Sequence, residues 1–360
     1  MPFIENAWYV AALSTEVLAA EPFARRLLDR PIVMFRDAQG RPAVLDDRCP
    51  HRFAPLSRGQ VADGVVTCRY HGLRFGGDGH CVGNPHGDGR VPAGARVRSY
   101  PSVERYGAIW FWPGDPGRAD PALLPALPFL DPETSVTQHG YLETAAHYML
   151  SAENLLDLSH FQFLHPYTLG SSEVAGSSVE TESEGDHVRV KREIHNEKLQ
   201  SFVADAFGIP RGERVTRRLD VHWQPPALLQ IDVSIRQEGT PADQARAAPS
   251  AHWLTPRTQT SAHYFFAFGL PRSLGALGEK LVRFAISGLM LPFEREDLPM
   301  LAAQQEAIGE ADFWSLKPAL LPMDAGAIKA RRIVERLVRE ESGRPGDASA
   351  PQQAAEAERP

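Results

Sequence analysis

Around residue 49 the chain reads DDRCPHRFAPLSRG, and around residue 68 it reads VVTCRYHGLRF. This gives Cys49-x-His51, a gap of 16 residues, and then Cys68-x-x-His71. Two thiolates and two imidazoles make one four-ligand metal set. Zinc accepts such a set in tetrahedral geometry. A [2Fe–2S] cluster accepts it as well, with cysteines on one iron and histidines on the other, which raises its potential above that of an all-cysteine cluster. The grouping of a zinc finger, Cys-x₂₋₄-Cys with His-x₃₋₅-His, is missing. One Cys and one His from each of two Gly- and Pro-flanked loops suit the cluster better. Cys81, His80 and His86, in GDGHCVGNPHGDG, read as a loop thiol and two exposed histidines.

A second constellation lies in SAENLLDLSHFQFLHP. Asn154, Asp157 and His160 follow at i+3 steps and share one face of a helix. His160 and His165 are five apart, about 140° round an ideal helix, so a regular helix would not aim both rings at one ion. Pro166 resolves this, because it pushes His165 out of helical φ/ψ and turns that ring back. Two imidazoles and one carboxylate on one face form the triad that binds non-haem Fe(II) and leaves positions open. Asp157, one turn before His160, is placed to accept a hydrogen bond from that ligand's other ring nitrogen. Short-range chemistry does not identify the carboxylate ligand. The acidic run Glu294, Glu296, Asp297 also suits a helix N-terminus, whose dipole favours carboxylates.

These residues need a scaffold. At 360 residues, 43% of them hydrophobic, the chain suits a two-domain globular protein. A net charge of −7 offers no basic excess for nucleic acid. No run reaches the roughly 18 apolar residues of a membrane helix, the N-terminus lacks a signal-peptide pattern, and three cysteines suggest thiolates in the cytoplasm rather than disulfides. From Trp8 to about Trp112, short strand-like runs broken by turns, as in RPIVMFRDAQGRPAVLDD, predict an all-β domain. Prolines between 116 and 134 predict a linker that is neither helix nor central strand. A helix is predicted over 152–164 with Ser151 as N-cap. DHVRVKREIHN, LLQIDVSIRQEG and SAHWLTPRTQTSAHYFFAFG predict one antiparallel sheet with a covered face. Further helices are predicted across EDLPMLAAQQEAIGE and AGAIKARRIVERLVREE, followed by a disordered tail. The divisions are 1–115, 116–134, 135–341 and 342–360.

Cys49-Pro50-His51-Arg52 and Cys68-Arg69-Tyr70-His71-Gly72 resemble the two ligand loops of a Rieske domain. With MPFIENAWYVAAL, NLLDLSHFQFLHP, LTPRTQTSAHYFFAFG and EREDLPML, nearly the whole chain is similar to Rieske non-haem iron oxygenases of the vanillate O-demethylase branch, which includes dicamba-type monooxygenases. The resemblance implies an α+β protein: an all-β Rieske domain followed by a helix-grip (START-like) catalytic domain with a curved antiparallel sheet. It implies one [2Fe–2S] cluster, with the cysteines on the buried iron and His51 and His71 on the outer one. It also implies one Fe²⁺ held by His160, His165 and Asp297, with Glu296 and Glu294 as alternatives. Electrons would come from an NAD(P)H-dependent reductase or a ferredoxin, since the chain has no convincing Gly-x-Gly-x-x-Gly turn. The other partners implied are O₂, a small aromatic substrate and two further copies in a head-to-tail homotrimer, where Asp157 would reach His71 of a neighbouring chain. Hydroxylation of a methoxy group, with release of formaldehyde, would demethylate an aromatic acid. The alternatives are cis-dihydroxylation of an arene and, in another class, a Rieske electron carrier, which His160 and His165 disfavour. On the strands, His252 and His263 either line the pocket, with His252 placed to bond a substrate carboxylate, or are surface or satisfied strand histidines.

Overall fold

In the computed structural model, residues 2–343 are described. The predicted tail therefore lies, beyond Gly343, outside the described residues. Eleven strands precede the linker: β1 (Tyr9–Leu13), β2 (Phe23–Leu27), β3 (Arg30–Arg36), β4 (Pro42–Asp46), β5 (Gln60–Ala62), β6 (Val65–Thr67), β7 (Arg74–Phe75), β8 (Cys81–Gly83), β9 (Ser99–Tyr100), β10 (Ser102–Arg105) and β11 (Ala108–Phe111). They form three small sheets, ordered β1-β11-β10, β2-β3-β4-β9 and β5-β6-β7-β8. Strands β1 and β11 are apolar on both faces because both faces are covered. Tyr9, Ile109 and Phe111 enter the core beneath β2 and β3, while Val10, Ala108 and Trp110 enter a second core. This is the period-2 alternation of a strand buried on two sides.

The second core joins the two halves of the molecule. The proline-rich stretch winds into 3₁₀ turns at Pro116–Arg118, Pro121–Leu123 and Pro128–Leu130. Leu124, Leu127 and Leu130 from this stretch pack among Trp8, Trp110, Trp112, Trp253 and Phe265. The linker is thus a packed layer. Thr255 Oγ1 donates to the Val10 carbonyl across the same junction at 2.7 Å.

Beyond it, β12 (Ser135–Thr144), β13 (Ser178–Glu184), β14 (His187–Lys198), β15 (Arg214–Gln224), β16 (Leu228–Gln237), β17 (Arg246–Thr258) and β18 (Ser261–Pro271) form one antiparallel sheet, ordered β12-β18-β17-β16-β15-β14-β13. Alternate residues of β17 and β18 divide between its faces: Trp253 and Phe265 face the junction, whereas Leu254, Tyr264 and Phe266 join the core on the other side. That inner core also takes residues from α1 (Tyr148–Leu156), from α4 (Gly275–Pro292) and from α6 (Ala325–Glu341). Two short helices, α2 (Phe161–Leu164) and α3 (Ser201–Ala206), follow α1, and α5 (Leu298–Ile308) follows α4. Arg331 of α6 clamps Glu153 of α1 with two bonds of 2.5 and 2.9 Å. No helix among the described residues is long and apolar enough to cross a membrane.

The structure corrects the predicted helix over 152–164. α1 starts four residues earlier, capped by the His147 side chain, and Ser151 lies buried inside it rather than at its N-cap. The helix breaks at Asp157, whose backbone is extended (φ −115°, ψ 98°), before a 3₁₀ turn over Leu158–His160 leads into α2. Helix α4 has no counterpart in the sequence reading. Its three glycines (Gly275, Gly278, Gly288) weaken helix propensity, and Leu277, Phe284 and Leu291 put apolar residues on its exposed side, which blurs the period.

Candidate functional site

The two Cys/His loops are built alike. Cys49 N–H donates to the Ala54 carbonyl while Phe53 N–H donates to the Cys49 carbonyl, both at 2.9 Å. In the other loop Cys68 N–H donates to Leu73 and Gly72 N–H donates to Cys68, at 2.8 and 2.9 Å. The fifth residue of each loop is left-handed, Phe53 at φ 60° and Gly72 at φ 73°. Both thiols are buried, 2% exposed, at the floor. The His51 and His71 rings stand at the rim with centroids 4.5 Å apart. Burial, opposed by the His51 backbone N–H and reinforced by the adjacent Cys68 thiol, pushes the Cys49 thiol up to about 11. A cation bound there would displace the Cys49 proton and be held by its thiolate. Two buried sulfurs below two imidazoles are the donor set of a Cys₂His₂ [2Fe–2S] cluster.

The second constellation converges from two segments some 130 residues apart in sequence. His160 and His165 come from the broken helix. Asp297 ends a π-helical turn, Phe293–Asp297, that links α4 to α5. One ligand atom from each of the three lies within 4.8 Å of the others. His160 Nδ1 donates to the Asp157 carbonyl at 2.7 Å, and His165 Nδ1 donates to Glu296 Oε2 at 2.7 Å. Both partners are acceptors only, so each ring carries a proton on Nδ1 and turns Nε2 inward. Those Nε2 atoms lie 3.6 and 3.2 Å from the same oxygen, Asp297 Oδ1. Asn154 Nδ2 donates to that oxygen at 3.1 Å, and Thr168 Oγ1 donates to Glu296 at 2.6 Å. Two Nε2 atoms and a carboxylate oxygen converge on one point. Burial would lower His165, but Asp297 and Glu296 outweigh it and raise it. Burial dominates at His160 and lowers it. The donor set fits Fe(II) held by two histidines and a carboxylate, with the second ring nitrogens tied down as such ligands require.

Residues 7–101 match the Rieske [2Fe-2S] domain family, and residues 144–340 match the vanillate O-demethylase oxygenase C-terminal domain family. The chain belongs to the vanillate O-demethylase group of Rieske oxygenases. It is 35% identical to the oxygenase component of dicamba O-demethylase from Stenotrophomonas maltophilia over 94% of this chain and 98% of that protein. A crystal structure of dicamba monooxygenase bound to 3,6-dichlorosalicylic acid superposes with a TM-score of 0.87 at 34% identity, covering 96% of this chain and all of that one. Another, with non-haem iron and dicamba, superposes at 0.77 and 33% identity, covering 95% and 99%. This Rieske oxygenase is accordingly an oxidoreductase with a [2Fe–2S] cluster and a mononuclear iron.

Asp157, His263 and His252 depart from their expected places at this oxygenase's site. Asp157 holds His160 through its backbone carbonyl, not its carboxylate, because the helix break turns that carbonyl toward the ring. Glu296 stands behind His165 and Glu294 is exposed, which leaves Asp297 as the carboxylate facing both rings. His263 turns to the opposite face from Tyr264, where it bonds Tyr141 Oη and the Arg26 carbonyl, each at 2.8 Å. His252 does face the inner side, but both its nitrogens are taken, Nδ1 by Tyr264 Oη at 2.7 Å and Nε2 by Ser250 Oγ at 2.9 Å. Burial pushes it down to about 3, so it is neutral. Since Ser250 spends its proton on the Ile231 carbonyl, it accepts from His252 Nε2–H, and Tyr264 donates to Nδ1. Sequence reasoning missed Tyr264, Ser250 and Thr168, and weighed Glu296 only as a ligand. Their roles depend on register and on the π-helical turn, and no local motif announces either.

Proposed function

We propose that this Rieske oxygenase is the terminal component of a multicomponent monooxygenase that demethylates a methoxylated aromatic acid. Cys49, His51, Cys68 and His71 hold the cluster, and His160, His165 and Asp297 hold the iron. When bound, the cluster supplies single electrons from an NAD(P)H-dependent reductase or ferredoxin, and the iron supplies the site of O₂ activation. Asn154 keeps Asp297 Oδ1 turned toward the two rings. The inner wall of Phe266, Phe293 and Leu254 keeps water from the reacting carbon, and His252, once released from Ser250, donates Nε2–H to the substrate's acid group. Asp157 carries electrons from His71 of a neighbouring chain in a homotrimer. We assign residues 1–115 and 135–341 to the two domains, and the protein to the cytoplasm.

The observation that carries this reading is the convergence of both Nε2 atoms on one buried oxygen of Asp297. The test is a screen of methoxylated aromatic acids and plain arenes with a generic reductase, O₂ and NADH. Formaldehyde with a phenolic product supports demethylation. Diol formation without formaldehyde overturns it in favour of dihydroxylation, and reduction of the cluster without product from either class would leave an electron carrier.

A further inference from the structure

Asp157 does three things at the helix break. Its carbonyl holds His160, its Oδ1 receives every side-chain bond the residue makes, and its Oδ2 accepts none among the described residues. Ser159 supplies two of the Oδ1 donors, backbone N–H at 2.9 Å and Oγ at 2.5 Å. The third comes from the sheet: Arg192 Nη2 of β14, the strand next to the edge strand β13, stands 3.4 Å from Oδ1. Arg192 is itself 5% exposed, whereas the Asp157 side chain is 22% exposed. The guanidinium is fixed from behind, with Nη1 donating to Ser177 Oγ at 2.7 Å and to the Val174 carbonyl at 3.3 Å. Burying an arginine is costly unless its charge is met. Asp157 is its only acidic partner among the described residues, while Arg217, the other buried arginine of this face, is spent on Glu197.

We propose that Arg192 is the positioning residue of the electron path. It holds Oδ1 inward from the sheet side, so that Oδ2 faces outward, ready to accept a hydrogen bond from an imidazole of a neighbouring chain. Ser159 reaches Oδ1 only from its own turn, two residues along the chain, whereas Arg192 reaches the same oxygen from the sheet side, and together they fix the tilt of the carboxylate plane and with it the direction of Oδ2. The inference rests on Asp157 being the bridge, and the two ideas separate experimentally.

The experiment compares Arg192→Gln, Arg192→Lys and Asp157→Asn in the full-length, iron-loaded protein. The cluster is pre-reduced, and its reoxidation is followed by stopped flow with substrate and O₂. Iron content and the EPR signal of the nitric-oxide-treated mononuclear site report whether the iron centre itself is intact. The expected result for Arg192→Gln is reoxidation slowed about 10–100-fold, the usual cost of losing an outer partner, with iron content, nitrosyl signal and reduction of the cluster by dithionite unchanged. Arg192→Lys keeps the charge and should recover part of the rate. A wild-type rate in Arg192→Gln beside a slow Asp157→Asn overturns the role of Arg192 and spares the bridge. A wild-type rate in Asp157→Asn overturns the bridge. Loss of iron or an altered nitrosyl signal in Arg192→Gln would show that Arg192 braces the metal loop instead, and would overturn the proposal.

Discussion

The cluster loops and the mononuclear site draw on related ligands but treat solvent in opposite ways. His51, Phe53 and Tyr70 crown the cluster loops in the open, with Phe53 and Tyr70 69% and 64% exposed. His165 and Asp297 are 0% and 2% exposed. A centre that only passes electrons gains from imidazoles near its surface, where a partner can approach closely. A centre that activates O₂ beside a carbon must exclude water, and each buried polar atom there then needs a partner. The cluster loops satisfy their backbone within six residues, whereas the iron site draws partners from α1, the following loop and the π-helical turn.

The largest effect should come from separating the two regions. His165→Ala or Asp297→Ala is expected to abolish iron binding at the catalytic site and all turnover while the Rieske EPR signal persists. Cys68→Ser should remove the Rieske EPR signal while the catalytic site keeps its iron, and turnover should be lost there too for want of electrons. Metal analysis with EPR on each variant checks this, and loss of both centres from either substitution would break the comparison.

Burial also predicts how stability follows pH. His252 and His263 are pushed by burial to about 3 and about 4, below the roughly 6.5 of an unfolded chain. Between those values the unfolded state binds protons that the folded state refuses, so stability rises with pH and is lost as pH falls below about 6.5. At pH 5 the cost is about 2 kcal/mol for each ring. Urea midpoints at pH 7 and pH 5 should differ accordingly, and because burial also holds His147 at about 3, His252→Gln should remove about a third of the difference. An equal drop in that variant would place the acid sensitivity elsewhere.

A smaller effect is expected at Glu296. Glu296→Gln keeps the size but weakens the acceptor behind His165, so iron affinity or turnover should fall about 10–100-fold. Titration of apoprotein with Fe(II) measures it, and a larger loss than in Asp297→Ala would exchange the roles of the two carboxylates.

The smallest effect sharpens the likeness of the two cluster loops. Phe53 is left-handed where the matching loop has Gly72. Phe53→Gly should therefore stabilise the protein by about 0.5–1 kcal/mol. Gly72→Ala should destabilise it, since a Cβ there would meet Pro85 Cγ at 2.8 Å in a backbone that L side chains avoid. Thermal melts of both variants decide whether the loops are equivalent.

What could be read directly from the residues follows the same division. The spacing of Cys49, His51, Cys68 and His71 names its chemistry because each ligand loop is a closed local unit. Pro166 after His165 likewise announces the end of the helix, and the alternation in β14, β16, β17 and β18 announces a covered sheet. The break at Asp157 was not legible, since Asn154, Asp157 and His160 also fit one regular helix face. Nor was α4.

Local order along the chain therefore determined the cluster ligands, the two histidines of the iron site and the antiparallel sheet, because side-chain spacing and turn chemistry act over a few residues. Only the tertiary structure decided which acidic residue of Glu294, Glu296 and Asp297 faces the rings. The same holds for the use of Asp157's carbonyl in holding His160, for the pairing of His252 with Tyr264 and Ser250, and for the stationing of Arg192 behind Asp157. Apart from the Asp157 carbonyl, which a local break in the helix presents to His160 three residues on, those choices are made by packing between segments more than thirty residues apart, or by the register of neighbouring strands. At that range the direction of each side chain depends on where the sheet and helices finally rest.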